Sequence, residues 1–326
     1  MKNVGFIGLG CYLPPTRLTN ADIEKMVDTS DEWITTRTGI KERRIVSKGE
    51  KTSHLATLAA KDVLKNAKLN PASVDLIIVA TITPDSSFPS TACLVQKAIG
   101  AKHATAFDVS AACAGYLYAV TMAEQCIKTG LYKNALIIAA ETISSLIDWK
   151  DRDTCVLFGD GAGACVLGQV YGDKGIVSDF LESEGEQSDL MRVVMPEGRH
   201  PSSRSDGKTH LPFVRMQGQE LFKIAVNSMA HAAQMAIKKA GIEISQIDCV
   251  VPHQANDRII SAVAKKLNIP NDKFFINIDR YGNMSAASIA VALYEAVEHK
   301  RIRRGDYVLL VAFGAGLVSA ANVVRS

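Results

Sequence analysis

The chain has 326 residues, 47% of them hydrophobic and 22% charged, the balance of a soluble enzyme with a large core. A formal net charge of +3 is too small to argue for a nucleic-acid partner. Seven cysteines at irregular spacing, with no C-x-x-C pair, fit reduced thiols in a cytosol better than a disulfide framework or a zinc site.

The opening MKNVGFIGLGCYLPP runs into a turn and has no cleavable small-residue end, so no signal peptide is expected. Strands are predicted at VGFIGLGCYL, VDLIIVATITP, ATAFDVS, NALIIAAET and CVLFGDGAGACVLG. Between them lie helical patterns, HLATLAAKDVLKNAKL, TACLVQKAIG and GYLYAVTMAEQCIKTG. Residues 104–123 carry only Asp108 as a charge, but they are mostly Ala, Ser and Gly, and a strand-to-helix break accounts for them better than a membrane span. GIVSDFLESEG is the next strand, and the polar, Ser-, Gly- and Pro-rich stretch 182–215 reads as a cover over a site. Further strands are predicted at IDCVVPHQ, KFFINI and DYVLLVAFGAGLVSAANVV, with helices at QELFKIAVNSMAHAAQMAIKKAG, NDRIISAVAKKL and SAASIAVALYEAVEHK. Ser53 and Ser285 suit N-caps, Gly130 and Gly241 C-caps. Strands that are apolar throughout imply sheets covered on both faces, hence an α/β fold with largely parallel sheets. SVDLIIVATITP echoes QIDCVVPHQAN, and FGDGAGACVLG echoes FGAGLVSAANV, which suggests a duplicated unit with halves 1–172 and 173–326.

Three polar groups stand just past a predicted strand and before a helix. Cys113, in DVSAACAG, meets the positive end of a helix dipole, which is expected to lower a thiol from ~8.5 into the range of roughly 3.5–7.5. His253 opens HQANDRI, and Asn283 lies in YGNMSAAS. Singly, they read as a buried small residue, a capping histidine and a turn asparagine. Together they share the rim of an α/β sheet where ligand crevices form. A thiol, an imidazole and a carboxamide suit thioester chemistry: an acyl-cysteine intermediate, and two N–H donors for the enolate left when a malonyl thioester loses carbon dioxide. The Cys113 N–H and the glycine-rich backbone of 312–316 would hold the acyl oxygen.

DVSAACAG, HQAN, YGNMSAAS and FGAG, in this order and spacing, with SDEWITTRTGIKERR and FGDGAGA, resemble β-ketoacyl-acyl-carrier-protein synthase III of the thiolase-like superfamily over nearly the whole chain. The resemblance implies a thiolase-like α/β fold of duplicated βαβαβαββ halves in a five-layer αβαβα arrangement. It implies a cytoplasmic homodimer without cofactor or metal, with no nucleic-acid or membrane partner. The reaction implied is condensation of a short acyl-CoA with malonyl-acyl-carrier protein, starting fatty acid synthesis. By the same match Cys113 is the nucleophile, His253 and Asn283 stabilise the enolate, and Cys113 and Gly316 form the oxyanion hole. Trp33 and Arg152 match the adenine sandwich of coenzyme A, Arg37 and Thr38 nucleotide contacts, Gly218 and Asn256 pantetheine contacts. Phe88, reaching across the dimer, and Phe158 belong to the primer pocket. Arg258, Lys265 and Lys266 share one helix face and, with Lys223, would dock the acidic carrier protein.

Rival readings fit less well. A degradative thiolase needs a second cysteine in the C-terminal glycine turn, where Phe313 stands. Elongating synthases use two histidines, plant-type polyketide synthases are longer, and papain-like proteases carry their cysteine near the mature N-terminus. GDGAGA precedes a strand pattern, not the helix a nucleotide-binding loop requires. A non-catalytic acyl-CoA binder should lack one of the three polar groups. Primer choice, a matter of ~1–3 kcal/mol per few methylenes, is not legible in the sequence.

Overall fold

Runs that are apolar at every position become strands with no exposed face. The computed structural model describes residues 3–193 and 213–326 and buries every residue of Leu76–Ala80 and Ala135–Thr142. In chain order the first elements are β1 (Asn3–Tyr12), β2 (Arg17–Thr19), α1 (Asn20–Ile23), α2 (Asp31–Thr38), β3 (Glu42–Arg44), α3 (Thr52–Asn66), β4 (Leu76–Ala80), α4 (Thr91–Ile99), β5 (Thr105–Val109), α5 (Gly115–Lys128), β6 (Ala135–Thr142), α6 (Arg152–Cys155) and β7 (Asp160–Val170). There follow β8 (Gly175–Ser183), β9 (Met191–Val193), β10 (Val214–Met216), α7 (Gly218–Ala240), β11 (Ile247–Pro252), α8 (Asp257–Leu267), α9 (Ile278–Tyr281), α10 (Ala286–Glu298), β12 (Tyr307–Gly314) and β13 (Val318–Arg325).

One sheet has the order β1-β7-β6-β4-β5 and the second the order β11-β12-β13-β8. Alternate residues of each strand face opposite layers. Ile78, Ile137 and Leu167 of the first sheet share a core with Leu117 and Val120 of α5, Ile289 and Leu293 of α10, and Val251, Leu310 and Ala320 of the second sheet. The other face of the first sheet, through Ile77, Val79, Leu136 and Ile138, takes Leu55, Ala59 and Val63 of α3 and Val95 of α4. The other face of the second sheet, through Val250, Leu309, Val311 and Val323, takes Met229, Ala233 and Ile237 of α7 and Ile260 and Val263 of α8. The layers therefore run helices, sheet, helices, sheet, helices, with α5 and α10 in the middle.

Several sequence expectations change. The sheets are mixed, not largely parallel: β4 runs parallel to β5 and β6, and β11 to β12, while β1–β7, β6–β7, β12–β13 and β13–β8 are antiparallel. A short return forces this at β12–β13, because a few residues reverse a chain but cannot make a parallel crossover; the other antiparallel pairs join strands separated by longer stretches of chain. The run DYVLLVAFGAGLVSAANVV is such a hairpin, β12 and β13. KFFINI is not a strand; its backbone meets β11 at the Val250–Phe274 bridge, and its Lys273 donates to Ile247 O (2.5 Å). Gln254 Oε1 and Glu295 Oε2 capture Asn277 through its N–H (3.0 Å) and Nδ2 (2.9 Å) and turn the chain into α9. Ser53 lies inside the first turn of α3, where its hydroxyl donates to Asp85 (2.6 Å), and Lys51 holds the cap position. Gly241 is a left-handed C-cap at φ +68°, while Gly130, at φ +83°, follows the cap residue Thr129. Residues 104–123 split into β5 and the buried start of α5, and no helix among the described residues is long and apolar enough to cross a membrane. Of the expected cover at 182–215, β9 and β10 pair antiparallel, and 194–212 lie outside the described residues.

Candidate active site

Cys113 sits in the tight turn Ala112–Ala114 between β5 and α5, following Ala112 at φ +43°. Small residues make that turn possible. A Cβ on Gly115 would lie 3.2 Å from the Ala80 side chain and 3.7 Å from Ala286, so α5 starts in the gap between β4 and α10. Gly314, at the end of β12, closes on the other side, where a Cβ would come 2.7 Å from the Cys113 nitrogen. The sulfur pays for this enclosure with lost hydration: Cys113 is 5% exposed, and burial pushes its thiol up to about 11. The Ser285 hydroxyl and the residue's own backbone N–H pull the other way, and Glu141 adds to the rise. The expected lowering by the helix terminus is therefore reversed, because a desolvated thiolate loses more than the helix end returns.

His253 follows β11, and its N–H donates to Val311 O of β12 (2.8 Å), which brings it to the strand end that carries Gly314. Burial pushes the imidazole down to about 3, so it is neutral at pH 7, and its buried Nδ1 has no partner among the described groups. The neighbouring Gln254 ties this corner down, donating to Pro252 O (2.9 Å) and Phe275 O (3.2 Å). Asn283 is fixed at both backbone ends: its N–H donates to Leu157 O (2.9 Å), and its C=O accepts from Gly159 N–H (3.0 Å). Its Oδ1 accepts from Ser285 N–H (2.8 Å), which fixes which end of the carboxamide remains to donate. Upstream, Arg280, Tyr281 and Asn277 converge on Glu295 of α10 at 2.6–3.1 Å.

FGDGAGA has a packing task. Gly159, just ahead of β7, and Gly161 and Gly163 within it are spaced by two, so they line one face. A Cβ there would strike Tyr281 O at 2.4 Å, Met284 Sδ at 2.6 Å and Ala290 Cβ at 2.5 Å respectively. The bare face lets the Asn283 segment and α10 lie directly on the strand.

Two residues the sequence reading did not single out as functional are part of this corner. Ser285 occupies the expected N-cap of α10, but it makes no cap bond and holds φ +48°. Glu141, next to last in β6, is 0% exposed, hidden in a run that reads as plain strand. The signal was there: a carboxylate closing an otherwise apolar strand has no solvent to face.

The remaining candidates lie outward. The Trp33 ring has the Arg152 guanidinium 5.1 Å and the Arg37 guanidinium 5.0 Å from its centre. The Thr38 hydroxyl, 4% exposed, donates to Ile34 O (2.6 Å) and accepts from Ile40 N–H (3.0 Å). Asn256 caps α8 through Arg258 N–H (2.9 Å) and donates to Arg37 O (3.0 Å). Gly218 opens α7 at the surface, and Gly316, at φ +130°, lies in the β12–β13 turn. Phe158 is 3% exposed and bridges Asn283, whereas Phe88 is 86% exposed. Lys223, Arg258, Lys265 and Lys266 are all exposed on α7 and α8, which Lys266 links by donating to Asn227. Among the described residues no group of three or more His, Cys, Asp or Glu is placed to hold a metal ion.

Two sheets enclosing a buried helical layer, with a thiol and a neutral imidazole past strand ends and a carboxamide just ahead of α10, define a condensing acyltransferase of the thiolase fold. The sequence matches the families "3-Oxoacyl-[acyl-carrier-protein (ACP)] synthase III" over residues 107–185 and its C-terminal counterpart over 237–326. It is 51% identical over 321 residues to a β-ketoacyl-[acyl-carrier-protein] synthase III of Caldanaerobacter subterraneus, covering 98% of this chain and 97% of that protein. The crystal structure of the Aquifex aeolicus synthase III superposes with a TM-score of 0.92 at 49% identity, covering 99% of this chain and 100% of that one. That of the Thermus thermophilus enzyme gives 0.93 at 46% identity, with 99% of each chain covered. The chain belongs to the β-ketoacyl-[acyl-carrier-protein] synthase III family.

Proposed function

We propose that the protein starts type II fatty acid synthesis by moving a short acyl group from acyl-CoA onto Cys113 and condensing it with malonyl-acyl-carrier protein, releasing coenzyme A and carbon dioxide. What supports this is that Gly314 packs on the Cys113 turn, that His253 hydrogen-bonds Val311 on the same strand as Gly314, and that Asn283 holds Ser285 just ahead of α10. In the first half-reaction the Cys113 sulfur attacks the thioester carbonyl, whose oxygen turns to the Cys113 and Gly316 N–H groups. In the second, loss of carbon dioxide leaves an enolate, and the His253 and Asn283 side-chain N–H groups stabilise it. A neutral imidazole suits this task, since it donates one hydrogen bond without proton transfer to the enolate. The reaction needs no cofactor or metal, because both acyl carriers are substrates.

The outlying residues fit the same scheme. Adenine stacks on Trp33 after the Arg152 guanidinium swings off the ring, which Arg37 continues to flank. Thr38 and Asn256 act by holding the α2 and α8 ends in place, since their polar atoms are already engaged there. Gly218 leaves room for the pantetheine arm, and Phe158 backs the primer pocket. Lys223, Arg258, Lys265 and Lys266 form an exposed basic face for an acidic carrier protein. We further infer a cytoplasmic homodimer, with Phe88 reaching the second copy's pocket, and a chain duplicated from halves 1–172 and 173–326.

The test is intact mass after exposure to a panel of acyl-CoAs. Wild type is expected to gain one acyl increment, Cys113→Ala none, and His253→Ala and Asn283→Ala the increment without condensation product. An increment on Cys113→Ala would overturn the assignment.

A further inference from the structure

The two donors proposed for the enolate belong to different sheets, and α9 is the piece of chain between their anchors. His253 is tied to the second sheet through Val311 O of β12, and Asn283 to Leu157 O and the Gly159 N–H, just ahead of β7 of the first sheet. The segment entering α9 stays with the second sheet, since Phe275 N–H donates to Val250 O (2.9 Å). It is also bonded to the neighbour of His253: Asn277 N–H donates to Gln254 Oε1 (3.0 Å), and Gln254 Nε2 donates to Phe275 O (3.2 Å). Leaving α9, the chain passes through Gly282 directly into Asn283. α9 itself has only four residues, too few for a helix to hold its own shape. The span from His253 to Asn283 must therefore be set from outside it.

Glu295 of α10 meets α9 from the side. Its carboxylate, on a residue 8% exposed, accepts four hydrogen bonds from three side chains of residues 277–281. Oε2 takes Asn277 Nδ2 (2.9 Å) and Arg280 Nη2 (2.7 Å), while Oε1 takes Tyr281 Oη (2.6 Å) and Arg280 Nη1 (3.1 Å). The Arg280 fork engages both oxygens, a charge-assisted pairing that fixes the plane of the carboxylate as well as its place. The same guanidinium lies 4.9 Å from the centre of the Tyr281 ring. One oxygen thus holds the end of α9 that is bonded to Gln254, and the other holds the end that leads to Asn283. We propose that Glu295 is a positioning residue for condensation, setting the separation of the His253 and Asn283 donors. The inference rests on the enolate role given above to those two residues.

The place suits a carboxylate and no other group of its shape. A carboxylate has no proton to offer and accepts at both oxygens. A carboxamide would turn its N–H2 group toward Arg280 in either orientation, breaking the fork and freeing one end of α9. A donor displaced by 1 Å in this way can cost about 100-fold in rate, even though the substitution is far from the chemistry. Acylation has no such dependence. None of the four bonds reaches the Cys113 turn, and Glu295 stands about 13 Å further along α10 than Ala286, which packs beside Gly115.

The test separates the half-reactions. Acylation by acetyl-CoA is followed by intact mass in a single turnover. The acetyl-enzyme so formed is then mixed with malonyl-acyl-carrier protein over a range of concentrations, which gives the maximal condensation rate and the half-saturating concentration. The proteins are wild type, Glu295→Gln, Tyr281→Phe, which removes one of the four bonds and keeps the fork, and Asn283→Ala. Glu298→Gln, an exposed carboxylate at the end of the same helix, is the control. Glu295→Gln should acylate within about twofold of wild type and lose at least about 10-fold in maximal condensation rate, with the half-saturating concentration unchanged. Tyr281→Phe should show the same split, and Glu298→Gln neither effect. Parallel loss of acylation and condensation, a loss confined to the half-saturating concentration, or condensation as in wild type would reject the positioning role. If Glu295→Gln does not fold, Tyr281→Phe decides by the same measures. Asn283→Ala that condenses as wild type does would instead reject the enolate reading, and the inference with it.

Discussion

At the scale of single residues, the resting site pairs a neutral thiol with a neutral imidazole, both kept so by burial. This has a consequence for stability. The His253 pKa of about 3 lies below the ordinary 6.5, so between these values the unfolded chain binds more protons than the folded one. Stability from keeping His253 neutral is therefore full above about 6.5 and lost as the pH falls towards 3, at about 1.4 kcal/mol per pH unit. Glu141, raised from 4.5 to about 7, has the opposite sign: its contribution is full below 4.5 and is lost as the pH rises through 7. His253→Gln should remove the first effect alone. The difference in urea-unfolding free energy between wild type and variant should widen from pH 3 to 6.5; a difference independent of pH would contradict the buried neutral imidazole. Cys113 and His253 stood out in the sequence because each follows a recognisable strand, whereas the strand expected before Asn283 is absent, and Asn283 follows α9 instead. Ser285 was read as a cap, and Glu141 was not read at all, since what lies beside a strand end depends on elements far away in sequence.

At the scale of elements, β7 and α10 are matched by the bare face of Gly159, Gly161 and Gly163. Their spacing of two is visible in the sequence, but the partner is α10, more than a hundred residues later, so the pattern read only as glycine-rich. The strands and long helices were legible from their periodicity. KFFINI was not, because its apolar run is bent off the sheet by polar side chains, Gln254 and Glu295, outside the run. Strand direction also escaped the pattern, since periodicity says which face is buried and nothing about which way the chain returns. Gly163→Ala would place a Cβ 2.5 Å from Ala290 Cβ and 2.8 Å from the backbone of α10. It should lower stability by about 1–3 kcal/mol through overpacking and weaken condensation by displacing the Asn283 segment. Gly185→Ala, with nothing within 4 Å of its Cβ, is the control. Equal thermal midpoints for the two variants would show that β7 and α10 do not depend on contact at this glycine.

At the scale of the whole molecule, the site needs both sheets. Cys113 and Glu141 come from strand ends of the first, His253 and Gly314 from the second, and α10, between the sheets, delivers Asn283 and Ser285. The buried middle layer thus fixes the relative position of groups that share no local sequence. Among the described residues, no further strand pairs with the β5 edge. The first sheet ends at β5, and Asp108 of that strand accepts from the Thr91 and Ala92 N–H groups (2.7 and 2.8 Å) and so anchors the start of α4. Phe88 stands three residues ahead of α4, 86% exposed. A free strand edge beside an exposed aromatic is what a second copy would cover. Tyr171, 80% exposed at the junction of β7 and β8, lies away from that edge and serves as the comparison. Phe88→Asp should weaken self-association by about 2 kcal/mol or more, roughly 30-fold in Kd, while Tyr171→Asp leaves it unchanged. Sedimentation equilibrium over a range of protein concentrations reads the difference. The acylation assay adds a second readout, because a Phe88 that shapes the other copy's pocket should lose activity as the dimer dissociates. A Phe88→Asp protein that sediments as wild type would place the interface elsewhere and leave Phe88 without a role in the primer pocket.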